Sequence, residues 1–161
     1  YVRHRTSDGW RRGVVFIKEI VPRRAIAGLA RSLYNENYVT MPMRHVLQGE
    51  EISYSWKVGG SWDEISVRTI GSPFLAQPGS EEEFITEHYW GYSRRRDGGC
   101  AEFKVEHPPW RLWRVEQATV RCSARELYGD EFEACLSAQP SSVFVAEGSP
   151  VAVYPAHRLD T

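Results

Sequence analysis

Eight residues, Val14-Val15-Phe16-Ile17-Lys18-Glu19-Ile20-Val21, run directly into Pro22 and a helix-patterned stretch ending at Glu36. This join constrains the fold more than any other part of the chain. In an extended segment Val14, Phe16, Lys18 and Ile20 share one face, and Val15, Ile17, Glu19 and Val21 share the other. Both faces are mostly apolar, which predicts a central strand covered on both sides. Pro22 has no amide hydrogen to lose and suits a first helical position. Ile26, Leu29, Ala30, Leu33 and Tyr34 then recur at three- and four-residue steps, the apolar stripe of a helix.

Elsewhere the pattern is that of short strands. Tyr1 to Arg5 and the run from Arg11 flank Ser7-Asp8-Gly9, a hairpin signal. Ile52, Tyr54 and Trp56 alternate with serines and a lysine up to Gly59-Gly60. Ile65, Val67 and Thr69 alternate after it, which predicts a second antiparallel hairpin. Ala101–His107, Arg111–Cys122, Val143–Ala146 and Val151–Tyr154 read as further strands. Ser80-Glu81-Glu82-Glu83 and Ser123-Ala124-Arg125-Glu126 are capping boxes. The first opens a helix expected to reach Tyr89, with Phe84 above His88, before a loop from Gly91. Glu131 to Ala138 holds another helical turn. Many short strands at 8 to 12 residue spacing predict a barrel or curved sandwich.

Composition removes several classes of function. The chain has 161 residues, one domain by length, with 20 basic and 21 acidic residues. A net charge of −1 gives no electrostatic reason to expect nucleic acid. No apolar run approaches the roughly 18 residues a membrane span needs. Three cysteines without CxxC spacing fit a reduced, cytoplasmic chain better than a disulfide framework.

The chemistry-bearing clusters are few. Glu87-His88-Tyr89-Trp90-Gly91-Tyr92 offers a carboxylate, an imidazole and two phenols, a set that can orient and protonate a small polar ligand. The same residues also read as a helix end with aromatics in the core. Lys18 on an apolar strand is either a desolvated nucleophile or a rim charge. Arg24 and Arg31 point the same way on the predicted helix, toward a carboxylate or phosphate, or toward solvent. His45, His88, His107 and Glu87 lack metal-site spacing, and no metal or cofactor is expected.

Arg12-Gly13-Val14-Val15-Phe16, Ala30-Arg31-Ser32-Leu33-Tyr34, the Glu87 to Tyr92 hexamer, Val105-Glu106-His107-Pro108 and Gly148-Ser149-Pro150-Val151 together resemble the YqjF-like family. That family is a bacterial domain of unknown function grouped with the acetoacetate decarboxylase-like superfamily. The resemblance implies a β-rich, barrel-like fold around an internal pocket. It also implies a further N-terminal stretch, so residues 1–161 form a single domain short of some strands, either a truncated piece or an open barrel closed by a second copy. The superfamily's decarboxylases carry a Schiff-base lysine just after the helix that matches Ala25 to Tyr34. Here Asn35-Glu36-Asn37-Tyr38-Val39-Thr40 holds none.

The expectation is therefore an α+β domain, mainly antiparallel β, an acetoacetate decarboxylase-like barrel or curved double sheet with two or three helices. Its expected ligand is a small organic molecule, acids included. Arg31 would hold the anionic group, Tyr34 and Tyr89 would donate hydrogen bonds, and Glu87 and His88 would move protons. The alternatives are a homo-oligomeric interaction domain, whose six tryptophans and eight tyrosines line an interface, and a Lys18-dependent decarboxylase.

Overall fold

The computed structural model describes residues 1–22, 38–95 and 97–159. The expected helix with Arg31 and Tyr34 lies outside them, as does Arg24. Thirteen strands are described: β1 (Val2–Thr6), β2 (Gly9–Gly13), β3 (Glu19–Val21), β4 (Tyr38–Thr40), β5 (Met43–Gln48), β6 (Glu51–Val58), β7 (Ser61–Leu75), β8 (Trp90–Arg94), β9 (Cys100–Glu106), β10 (Arg111–Arg121), β11 (Phe144–Ala146), β12 (Ala152–Val153) and β13 (His157–Leu159). Three helices join them: α1 (Glu81–Thr86), α2 (Ala124–Tyr128) and α3 (Asp130–Ser137). The architecture is α+β and mainly antiparallel, with β3–β4 the one parallel pair described.

The expected barrel is not what the described strands form. They make separate open sheets: β1–β2, β3–β4, a five-stranded sheet in the order β11-β10-β7-β6-β5, and a four-stranded sheet built on β9. In the last, β8 lies on one side of β9, and β12 and β13 pair with it in turn.

The five-stranded sheet follows its sequence pattern. Gly59 takes a left-handed φ of 55°, which turns β6 into β7 at Gly59-Gly60. Pairing then puts Leu47, Ile52, Val67 and Ala118 in one row across the sheet, and His45, Tyr54, Ile65 and Val120 in the next. The other face carries polar pairs, Arg68 with Glu51 at 2.6 Å and Ser55 with Glu64 at 3.1 Å. At one end of the apolar face Trp56 and Val58 pack with Leu127 of α2, and Ile20, Met41, Met43, Cys122 and Tyr128 close around them. Further buried apolar side chains lie outside this cluster, Leu112 on β10 and Tyr92, Ala101 and Phe103 on β8 and β9.

The segment Val14–Val21 departs from its pattern. β2 stops at Gly13, Val14 makes a single bridge to Gly91, and Val15, Phe16 and Ile17 are exposed. β3 then pairs elsewhere. One apolar run serves two sheets in turn, and periodicity alone cannot separate that from one buried strand.

The two capping boxes diverge. Ser80 accepts from the Glu83 amide at 3.2 Å, as expected, and α1 ends at Thr86 rather than near Tyr89. Ser123 makes no side-chain cap. Its amide and hydroxyl both donate to buried Asp63, at 2.7 and 2.8 Å. That pair fixes the start of α2 on β7 instead of on the helix's own third residue.

Where a loop was expected, β8 runs from Trp90 to Arg94. Glycine is a poor strand residue, but here the Phe103 ring occupies the space above Gly91. A Cβ added there would lie 2.1 Å from Phe103 Cζ.

Candidate functional site

The β1–β2 hairpin has two faces because its side chains alternate. His4 and Arg11 are cross-strand partners and point inward; Arg3 and Arg12 are partners one residue on and point outward. Val14 extends the hairpin onto the sheet: its amide donates to the Trp90 carbonyl at 3.0 Å, and its carbonyl accepts from the Tyr92 amide at 2.9 Å.

The inward face closes over Glu102, which is 0% exposed. The Arg11 Nη1 donates to Glu102 Oε2 at 2.7 Å, and the Tyr92 hydroxyl donates to Oε1 at 2.7 Å. His157 Nε2 lies 3.0 Å from Oε2, and His4 Nδ1 lies 3.5 Å from Oε1. The guanidinium of Arg11 also stacks 3.8 Å over the Trp90 ring. Burial opposes ionisation of Glu102, but the bonds from Tyr92 and Arg11 outweigh it and hold the carboxyl below its ordinary range. Burial and the adjacent carboxylate push the Tyr92 hydroxyl up. Four side chains from β1, β2, β8 and β13 surround this carboxylate, so the group binds elements together rather than facing a ligand. Sequence reading missed the cluster.

The outward face borders a cleft of about 390 Å³ lined by Tyr1, Val2, Arg3, Arg12 and Phe84. The sequence-predicted His88 stands beside it, half-buried. Its ring lies 4.7 Å from Tyr1 and 5.9 Å from Phe84, so Phe84 and His88 are neighbours as the helical spacing predicted. Both ring nitrogens are buried and neither makes a well-aligned hydrogen bond among the described residues, although the Phe84 backbone carbonyl lies close enough to favour the protonated ring. Burial first, and Arg12 second, push the imidazole below its usual range, so His88 is neutral at pH 7. Arg12 stacks 4.6 Å over Phe84 and donates to the Glu87 carbonyl at 3.3 Å.

The other predicted residues lie in a separate group. The Tyr89 hydroxyl donates to the Glu87 carboxylate. Burial and Glu87 push Tyr89 up to about 12. His107 stacks between Tyr89, at 5.1 Å, and Trp110, at 4.2 Å, and the Trp110 indole donates to Ser149 Oγ at 2.8 Å. Glu87 and Tyr89 are thus brought together, and His88 turns to the other side with Tyr1, Phe84 and Arg12.

Lys18 donates to the Leu127 carbonyl and lies 5.6 Å from the Tyr128 ring, beside α2. His45 sits on β5 against Tyr54, far along the chain from the other histidines. Among the described residues no group of three or more His, Cys, Asp or Glu side chains is placed to hold a metal, and no helix is long and apolar enough to cross a membrane. All three cysteines are free.

Neither a curated protein nor a solved structure matches the chain. A family match does, over residues 1–150: the chain belongs to DUF2071, described as an uncharacterized conserved protein (COG2071).

Proposed function

We propose that this domain binds a small organic acid in the cleft between the β1–β2 hairpin and α1. The observation that carries this reading is His88, a neutral imidazole whose buried nitrogens make no well-aligned hydrogen bond among the described residues, beside the Arg12 guanidinium and against the Tyr1 and Phe84 walls of the cleft. A buried polar atom without a partner costs about 1–3 kcal/mol, a cost that a ligand hydrogen bond recovers. Arg3 and Arg12 supply the positive charge for a carboxylate. Tyr1, Val2 and Phe84 supply apolar walls, and a cleft of a few hundred Å³ matches a ligand of this class. From the sequence, Arg31 and Tyr34 are added as further ligand contacts; Glu87 and Tyr89 pair with each other on the other side of His88. Kinship with the acetoacetate decarboxylase-like superfamily rests on the resembling segments alone and lends the reading an internal pocket, without its lysine chemistry.

Benzoate and phenylacetate are suitable probes, with benzamide as the uncharged control. At ten times its dissociation constant an acid stabilises by about 1.4 kcal/mol, which raises the melting temperature by roughly 3–6 °C. Benzamide is expected to give no shift. Arg12→Ala and His88→Ala should keep the unliganded melting temperature within about 3 °C and lose the acid-dependent rise. Equal shifts with acid and amide, or a full shift in both variants, would overturn the reading.

A second reading, self-association, is favoured by one observation. Leu47, Tyr54, Ile65 and Val120 are exposed on the same face of the five-stranded sheet, Leu47 by 60%. Sedimentation velocity at micromolar concentration distinguishes it: a dimer supports the second reading, and a monomer removes it.

A further inference from the structure

The outward face of the hairpin extends beyond the cleft. Arg3 and Arg12 are directly opposite each other, and the next row pairs Arg5 with Trp10. Like charges in direct cross-strand positions repel. Among the described residues Arg3, Arg5 and Arg12 are in no ion pair, although Arg11, one residue away, is paired. Trp10 is 65% exposed, with the guanidinium carbons of Arg3 and Arg5 at 5.4 and 6.0 Å from its ring. Large exposed aromatic surface flanked by unneutralised arginine is characteristic of interface anchors. Beside this face, β1 pairs only with β2 among the described residues, and no described strand lies along its other edge.

We propose that this edge and face receive an extended acidic segment of a partner protein, added as a third strand next to β1. Three features of the hairpin select that occupant. An open edge offers backbone donors and acceptors in the pattern that only another strand matches. Alternate residues of a strand are about 6.6–6.8 Å apart, so Arg3 and Arg5 repeat at the spacing of carboxylates at positions i and i+2 of the incoming segment. Trp10, opposite Arg5 on β2, backs the arginine row with its ring. A single-stranded nucleic acid would use the arginines and Trp10 but could not use the backbone edge, and the chain's net charge of −1 does not favour it. This inference stands apart from the small-acid cleft, with which it shares Arg3 and Arg12 but not Arg5 or Trp10.

The test is fluorescence anisotropy with a labelled hexapeptide of alternating glutamate and valine. Its controls are an isomer with the three glutamates in one block, and decauridine RNA. The alternating peptide is expected to bind at least roughly tenfold more tightly than either control. Arg5→Glu should weaken it at least roughly tenfold while leaving the benzoate-dependent thermal shift unchanged, which separates this proposal from the cleft. Equal binding of the block isomer, indifference to Arg5→Glu, or tighter binding of decauridine would overturn it.

Discussion

Replacing Glu102 by Gln is expected to cost about 3 kcal/mol or more, a fall in melting temperature of roughly 6–12 °C for a domain of this size. The carboxylate is wholly buried and neutralises Arg11 while accepting from Tyr92. An amide keeps the shape and loses the charge. Arg11 is then left partly buried without its anion, and the hairpin loses its main polar tie to β9. The variant Arg11→Met/Glu102→Met should recover part of the loss, because removing both partners leaves no stranded charge. Chemical denaturation of the three proteins at pH 7 measures this. A Glu102→Gln variant within about 0.5 kcal/mol of the wild type would show that the cluster is not what docks the hairpin.

The same group sets a pH dependence. The folded state holds Glu102 below the 4.5 of an ordinary glutamate. The unfolded chain therefore takes up this proton first as pH falls, and stability falls with it. The contribution is fully present above about pH 4.5 and is lost as pH drops through the lower, folded value. The Glu102→Gln variant should show a shallower decline over that window than the wild type.

Gly91→Ala is the second large effect. The added methyl would sit 2.1 Å from Phe103 Cζ and 2.3 Å from Cε2. Phe103 is itself buried. The backbone on either side of Gly91 is held by Val14, which bonds to both Trp90 and Tyr92. With neither side free to yield, overpacking should cost about 3 kcal/mol. Gly91→Ala/Phe103→Leu should restore part of it, a coupling of the kind neighbouring positions display in a double-mutant cycle. Simple additivity of the two single variants would mean that the ring does not depend on the glycine.

The reasons for sequence success and failure are local. The β6–β7 hairpin was legible because strict alternation and Gly59-Gly60 agree. The β1–β2 hairpin was legible from Asp8-Gly9, and α1 from its capping box. β8 was not, because Trp90-Gly91-Tyr92 has a strand-breaking residue at its centre. What compensates is Phe103, twelve residues away on another strand. Glu102 was the more serious omission. It alternates with Cys100, Lys104 and Glu106 on one face of β9, the pattern of a solvent-facing row, and it is buried by the hairpin folded back from the other end of the chain together with Tyr92 and His157. His88 was found from composition and helical spacing, yet its cleft walls, Arg3 and Arg12, come from the hairpin. Nothing between residues 12 and 88 announces that meeting.

The central claim, that the hairpin and α1 enclose an acid-binding site, is tested most directly by a crystal structure of the protein with benzoate. The expected result places the carboxylate within hydrogen-bonding distance of Arg12 or Arg3, with the ring among Tyr1, Phe84 and His88. Benzoate absent from that cleft at saturating concentration, or bound with its carboxylate away from both arginines, would contradict the account.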